Sequence, residues 1–208
     1  MISYNKGMIK AVLFDFGGVL TEGGKAGSIR GMFAKAYHAP IEQVKLDDSV
    51  QAAFRGTITD DAFLATTNRL NAQFPPATAV IFVEDADFFQ RSQQVYDLAA
   101  QLRSQGVTTG VFSNVFASSA DVLRRDGFYD GFSPLFLSCD HGMMKPELPL
   151  YKAVVRELNL EPSEVLFIDD KDEFLAPARQ VGMHTVLAVS PEQIVHDVTA
   201  LIAKENQA

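Results

Sequence analysis

Short runs of apolar residues alternate along this chain with stretches whose apolar positions recur every three or four places, the pattern of a parallel β-sheet covered by helices. The apolar runs predict strands at Ala11–Phe16, Thr108–Ser113, Leu135–Ser138, Val165–Asp169 and His184–Val189. Between them, Val95, Leu98, Ala99 and Leu102 recur at helical spacing and stop at Gly106, the residue type expected just past a helix end. Pro149 is suited to open a helix carrying Leu150, Val154 and Leu158. Ser190 and Pro191 form a cap and first-turn pair ahead of Ile194, Val198, Leu201 and Ile202.

From Glu22 to about Gln90 the strand signal disappears and helices are predicted instead, at Ser28–Tyr37, Ile41–Phe54, Thr59–Asn71 and Thr78–Phe89, with a break at Pro75-Pro76. This divides the chain into a core of residues 1–21 and 91–208 and a helical insertion of residues 22–90. An insertion after the first strand lies over the carboxyl ends of the strands, where open α/β sheets bind ligands, so it reads as a lid.

Two of the predicted strands end in acid. Asp15 closes the run AVLFD before Gly17 and Gly18, and Asp169 and Asp170 close VLFIDD. A carboxylate beside a turn is commonly a turn cap, but two buried strands that both end in carboxylates suggest a shared cation. Composition narrows the ligand. A net charge of −8 and a pI near 4.9 argue against a nucleic-acid surface, which needs clustered cations, and favour a small molecule. One cysteine, Cys139, excludes an internal disulfide and a cysteine-cluster zinc site and fits a reducing compartment. The chain shows neither a signal peptide nor an apolar run of about 18 residues, so a cytoplasmic protein with no membrane partner is expected.

Four segments follow one another in register: FDFGGVL from Phe14, VFSN at Val111–Asn114, KPELPLY from Lys145 and FIDDKDE from Phe167. Together they resemble the haloacid dehalogenase superfamily, over nearly the whole chain and with the insertion placed as in its helical-cap branch. The resemblance implies a Rossmann-like parallel sheet with an inserted α-helical cap. It also implies that Asp15 attacks the electrophile and forms an aspartyl intermediate. Mg²⁺ would be held by Asp15, the carbonyl of Gly17 and Asp170, with Asp169 as a supporting acid. Ser113, Asn114 and Gly18 would bind the substrate, and Lys145 would offset the charge of the transferring group. Read alone, Ser113-Asn114 is a strand-ending turn and Lys145 a solvated lysine; the common register gives both their functional reading. The implied activity is hydrolysis of a small phosphorylated metabolite.

Two positions depart from the family pattern. Gly17 stands where family phosphatases carry a second Asp, the general acid for the leaving oxygen, and Phe174 stands where a polar residue is usual. A substrate with a good leaving group, such as a sugar 1-phosphate, needs the missing acid least. Gly17 also permits a dehalogenase, although the Asp169-Asp170 pair favours a metal, and both departures permit a binding or regulatory module. Phe174 is expected to loosen the surroundings of the cation or of Lys145. His38, His141, His184 and His196 lack metal-ligand spacing, and Arg30, Phe33 and Arg55 are lid residues for which solvation or core packing is the simpler account.

Overall fold

The computed structural model describes residues 8–22, 29–78 and 89–205. Five parallel strands form the central sheet: β1 (Ala11–Phe14), β4 (Thr108–Ser113), β5 (Leu135–Leu137), β6 (Val165–Asp169) and β7 (His184–Leu187), in the order β5-β4-β1-β6-β7. β1 is the middle strand, pairing Phe14 with Val111 on one side and with Ile168 on the other. The chain winds outward from β1 through β4 to β5, then crosses back to β6 and out to β7. The reversal falls between β1 and β6, the kind of position where open α/β sheets take their ligands.

Side-chain alternation explains why the central strands read as apolar. Along β1, Val12 and Phe14 face a cluster with α4 (Gln93–Ser104), α5 (Ala117–Arg125) and α9 (Pro191–Glu205), contributed by Val95, Leu98, Leu123, Ile194 and Val198. Ala11 and Leu13 face the other layer, where α7 (Leu148–Leu158) and α8 (Asp172–Val181) supply Leu150, Tyr151, Val154 and Leu175. A sheet buried on both faces has no polar face to show in its pattern. The observed strands are one or two residues shorter than predicted at β1, β5 and β7. Phe16 lies beyond β1, because after Asp15 the chain turns at Gly17 and Gly18.

The inserted helices are α1 (Ile29–Ala36), α2 (Ser49–Phe54) and α3 (Asp60–Leu70), gathered around Phe33, Tyr37, Ala53 and Phe63. Two-residue strands β2 (Thr21–Glu22) and β3 (Gln90–Arg91) pair antiparallel where the chain leaves and re-enters the core. The apolar spacing predicts one helix over Ile41–Phe54; the structure instead has a 3-10 turn at Ile41–Gln43, an irregular stretch and then α2. The side chain of Asp47 explains the interruption: it accepts from the Ser49 main chain at 3.0 Å and from the Ser49 hydroxyl, and such local bonds favour a turn over a continued helix. Within the span predicted as a fourth helix, residues 79–88 lie outside the described residues, and Thr78 and Phe89 are not helical. Thr59 caps α3, its hydroxyl accepting from Ala62 N–H at 3.2 Å.

A core residue nails the helical layer down. Phe116, which precedes α5, is buried in the cluster of the inserted helices, stacked on Phe54 at 4.3 Å and on Phe63 at 5.3 Å between ring centroids. Nearby, Asp60 Oδ2 accepts from Ser118 N–H at 2.7 Å. Gly56, at φ 66°, lies so close to the core that a Cβ there would meet the Cys139 carbonyl oxygen at 2.3 Å. No helix among the described residues is long and apolar enough to cross a membrane.

Candidate active site

The carboxyl ends of β1, β4 and β6 converge on one spot. Asp15 follows β1, and its N–H donates to Ile168 O of β6 at 2.9 Å, so the sheet ladder itself carries Asp15 to the strand that ends in Asp169 and Asp170. Carboxylate oxygens of these three residues all lie within 4.8 Å of one another. Asp15 and Asp169 are buried; Asp170 opens to the surface. The close approach of Asp170 depends on Gly18, since a Cβ at that position would stand 2.9 Å from Asp170 Oδ2, and the φ of 77° suits glycine as well. At Gly17, one residue earlier, a Cβ would meet nothing within 4 Å.

Lys145 enters this group from the turn before α7. Its Nζ lies 2.9 Å from Asp15 Oδ1 and 2.5 Å from Asp169 Oδ2, and the residue is fully buried. Burial works against its charge, but Asp15 and Asp169 outweigh that and hold the ammonium above its ordinary range. Burial, reinforced by the charge of Asp15, pushes the Asp169 carboxyl up to about 7 and raises Asp170 as well. Two carboxylates on one ammonium, with a third carboxylate beside them, leave a surplus of negative charge. The donors are hard oxygens at short mutual distance, which suits a divalent cation.

Two of the residues singled out from the sequence are engaged with neighbouring groups of the protein. Asp169, read there as the acid supporting the metal, has both oxygens engaged: Oδ2 with Lys145, and Oδ1 accepting from Lys171 N–H at 2.9 Å. Asn114, expected to donate to a substrate, turns its amide onto the main chain of Lys145. Its Oδ1 accepts from Lys145 N–H at 2.8 Å and its Nδ2 donates to Lys145 O at 3.0 Å, a two-way match that only an amide offers. Ser113 ends β4 in a buried position beside this clamp.

Phe174, one of the two departures from the family pattern, sits against Lys145. Its ring lies 5.0 Å from Nζ, with Phe167 at 5.1 Å and Phe112 at 5.4 Å. Sequence reasoning missed Phe112 and Phe167 because alternating burial accounts for them fully; only their places, directly before Ser113 and two before Asp169, hinted at more. Of the lid residues, Arg30 is exposed and Phe33 is buried in the helical cluster. Arg55 fits neither expectation: its Nε and Nη2 both lie 2.7 Å from Glu147 Oε1, two residues after Lys145. His141 packs its ring near Phe136, 5.9 Å between centroids.

Comparison with known proteins sets this geometry in a family. Residues 9–182 match the model of the haloacid dehalogenase-like hydrolases. Acyl-CoA dehydrogenase family member 10 of Mus musculus is 27% identical over 207 residues, covering 93% of this chain, which spans 19% of that protein's length. Glyceraldehyde 3-phosphate phosphatase of Methanopyrus kandleri is 27% identical over 194 residues, covering 86% of this chain and 83% of that one. A crystal structure of a HAD family enzyme from Bacteroides thetaiotaomicron, a magnesium complex, superposes with a TM-score of 0.73 at 25% identity, over 88% of this chain and 96% of the other. Strand order, the acid-ended strands and the family match agree: the chain belongs to the haloacid dehalogenase-like hydrolases.

Proposed function

We propose that this protein is a Mg²⁺-dependent phosphatase that hydrolyses a small phosphorylated metabolite through an aspartyl-phosphate on Asp15. The observation that carries the reading is the meeting of Asp15, Asp169 and Asp170 within 4.8 Å of one another, with a buried ammonium paired to the first two. Asp15, Asp170 and the Gly17 carbonyl would hold Mg²⁺, with Asp169 in support. When bound, the ion supplies relief of the repulsion between a carboxylate nucleophile and an anionic phosphate. Phosphatase relatives such as the Methanopyrus kandleri protein, and the magnesium-bound neighbour, favour the same chemistry.

The chain's own residues divide the work. Lys145 orients Asp15 through its Oδ1 and leaves the other oxygen to attack phosphorus. Asn114 fixes the Lys145 backbone, and Asp169 serves as its counter-ion. Ser113 and main-chain N–H groups around Gly18 bind phosphoryl oxygens. As the Asp15 oxygen bonds to phosphorus, the ester oxygen leaves with the bonding pair; water then attacks the acyl phosphate, releasing inorganic phosphate and restoring Asp15. No side chain at position 17 protonates the leaving oxygen, which selects substrates that leave as stable alkoxides or phenolates, a sugar 1-phosphate above a 6-phosphate. Loss of a positioned general acid is worth ~10²–10⁴ in rate.

A panel of phosphate monoesters assayed with and without Mg²⁺ tests this. Release of phosphate from aryl phosphates and sugar 1-phosphates, dependent on Mg²⁺ and abolished in a folded Asp15→Asn protein, is the expected result. Chloride release from 2-chloropropionate without metal, or full activity of Asp15→Asn, overturns it.

A further inference from the structure

Lys145 Nζ carries three N–H donors, yet among the described residues it meets two acceptors, Asp15 Oδ1 and Asp169 Oδ2. The rest of its surroundings are aromatic. Phe112 on β4 and Phe167 on β6 come from neighbouring levels of the same sheet face, their centroids 4.9 Å apart, and Phe174 meets the same ammonium from the first turn of α8. The main chain of Phe174 is pinned in place, its carbonyl accepting from the Tyr151 hydroxyl at 2.7 Å. All three ring centroids lie between 5.0 and 5.4 Å from the ammonium, inside the range at which a ring face attracts a cation, and the attraction grows where water is excluded.

A ring face differs from a polar side chain in one respect that matters here. It presents negative potential but no lone pair directed at a single N–H, so it steadies the charge without consuming a donor. An amide or carboxylate at position 174 would offer a third acceptor and draw the ammonium away from Asp15. An aliphatic side chain would fill the space and contribute no field.

We propose that Phe174 is a positioning residue, completing an aromatic box that holds the Lys145 ammonium between Asp15 and Asp169 and leaves its third N–H for the transferring phosphoryl group. The catalytic half of this proposal rests on the phosphatase reading above. The half-buried ring also carries the exposed Lys171 ammonium at 5.2 Å from its centroid, so its two cations differ in solvation and only the buried one depends on it.

The test compares the full-length protein with Phe174→Tyr, Phe174→Leu and Phe174→Asn, using p-nitrophenyl phosphate at saturating Mg²⁺. Phe174→Tyr is expected to stay within about twofold of the parent, whereas Leu and Asn lower kcat about tenfold with KM little changed, the scale of one desolvated cation–ring contact. A second readout is independent of turnover: the side-chain ¹³C and ¹H resonances of Lys145, assigned against Lys145→Arg, are shifted upfield by ring currents in the parent and in Phe174→Tyr and move back in Phe174→Leu. Parental kcat in Phe174→Leu, an equal loss in Phe174→Tyr, or a Lys145 resonance indifferent to Phe174→Leu overturns the proposal. Failure of the parent protein to hydrolyse any phosphate ester defeats the phosphatase reading, and the lysine resonance then decides by itself whether the box holds.

Discussion

Gly17 and Gly18 are neighbours with opposite tolerances, and the difference is a matter of what a methyl group would touch. Space for a Cβ is open at Gly17 and its φ lies outside the left-handed region, so Gly17→Asp brings neither a Cβ clash nor backbone strain. If protonation of the leaving oxygen limits alkyl phosphates, this substitution raises kcat on a sugar 6-phosphate by ~10²-fold or more while leaving an aryl phosphate little changed. Steady-state kinetics on the two substrates checks it; equal changes on both mean that protonation never limited the rate. At Gly18 the added carbon collides with Asp170 at 2.9 Å and the backbone sits at φ 77°. Gly18→Ala is expected to cost about 1–3 kcal/mol and to weaken Mg²⁺ binding, measured by denaturant unfolding and by metal titration of the refolded variant.

Between elements, the helical layer is fastened to the core by contacts of unequal strength. Arg55 and Glu147 retain about a third of their side-chain exposure, 29% and 33%, so water screens the pair. Phe116 is 4% exposed and sits between Phe54 and Phe63. Phe116→Ala is therefore expected to lose about 3–5 kcal/mol of stability, and Arg55→Ala at most about 1 kcal/mol; chemical denaturation of both variants gives the ratio. The sequence carried the buried contacts poorly and the sheet well, for one reason. Both-face burial writes the central strands β1 and β6 as apolar runs, legible by themselves. By contrast, Phe116 looks like any apolar residue before a helix until the structure seats it in the opposing cluster. Asn114 and Phe174 follow the same logic: their positions beside the site were readable, but their partner, the main chain and ammonium of Lys145, is set by a turn some thirty residues away.

Taken over the whole molecule, the site is a local concentration of negative charge in a chain that is already acidic, with a net charge of −8. Lys145 pairs with two of the three carboxylates that lie within 4.8 Å of one another, so the folded state without metal carries repulsion that the unfolded chain escapes. Two effects of opposite sign follow from changing Asp170, the carboxylate that faces the surface and makes no ion pair among the described residues. Asp170→Asn removes a repelling charge and is expected to leave the metal-free protein as stable as the parent or more so, the usual exchange of stability for function at an active site. On the proposed reading it also removes a ligand oxygen. Mg²⁺ at a hundred times its dissociation constant stabilises the parent by about 2.7 kcal/mol, a rise in Tm of ~5–10 °C for a chain of this size, and in Asp170→Asn that rise is expected to collapse. Thermal unfolding of both proteins across a Mg²⁺ series measures the two effects together. A parental Mg²⁺ response in Asp170→Asn would move the ion away from these carboxylates, and a less stable metal-free variant would show that Asp170 is held by attraction in the fold instead of strained by repulsion.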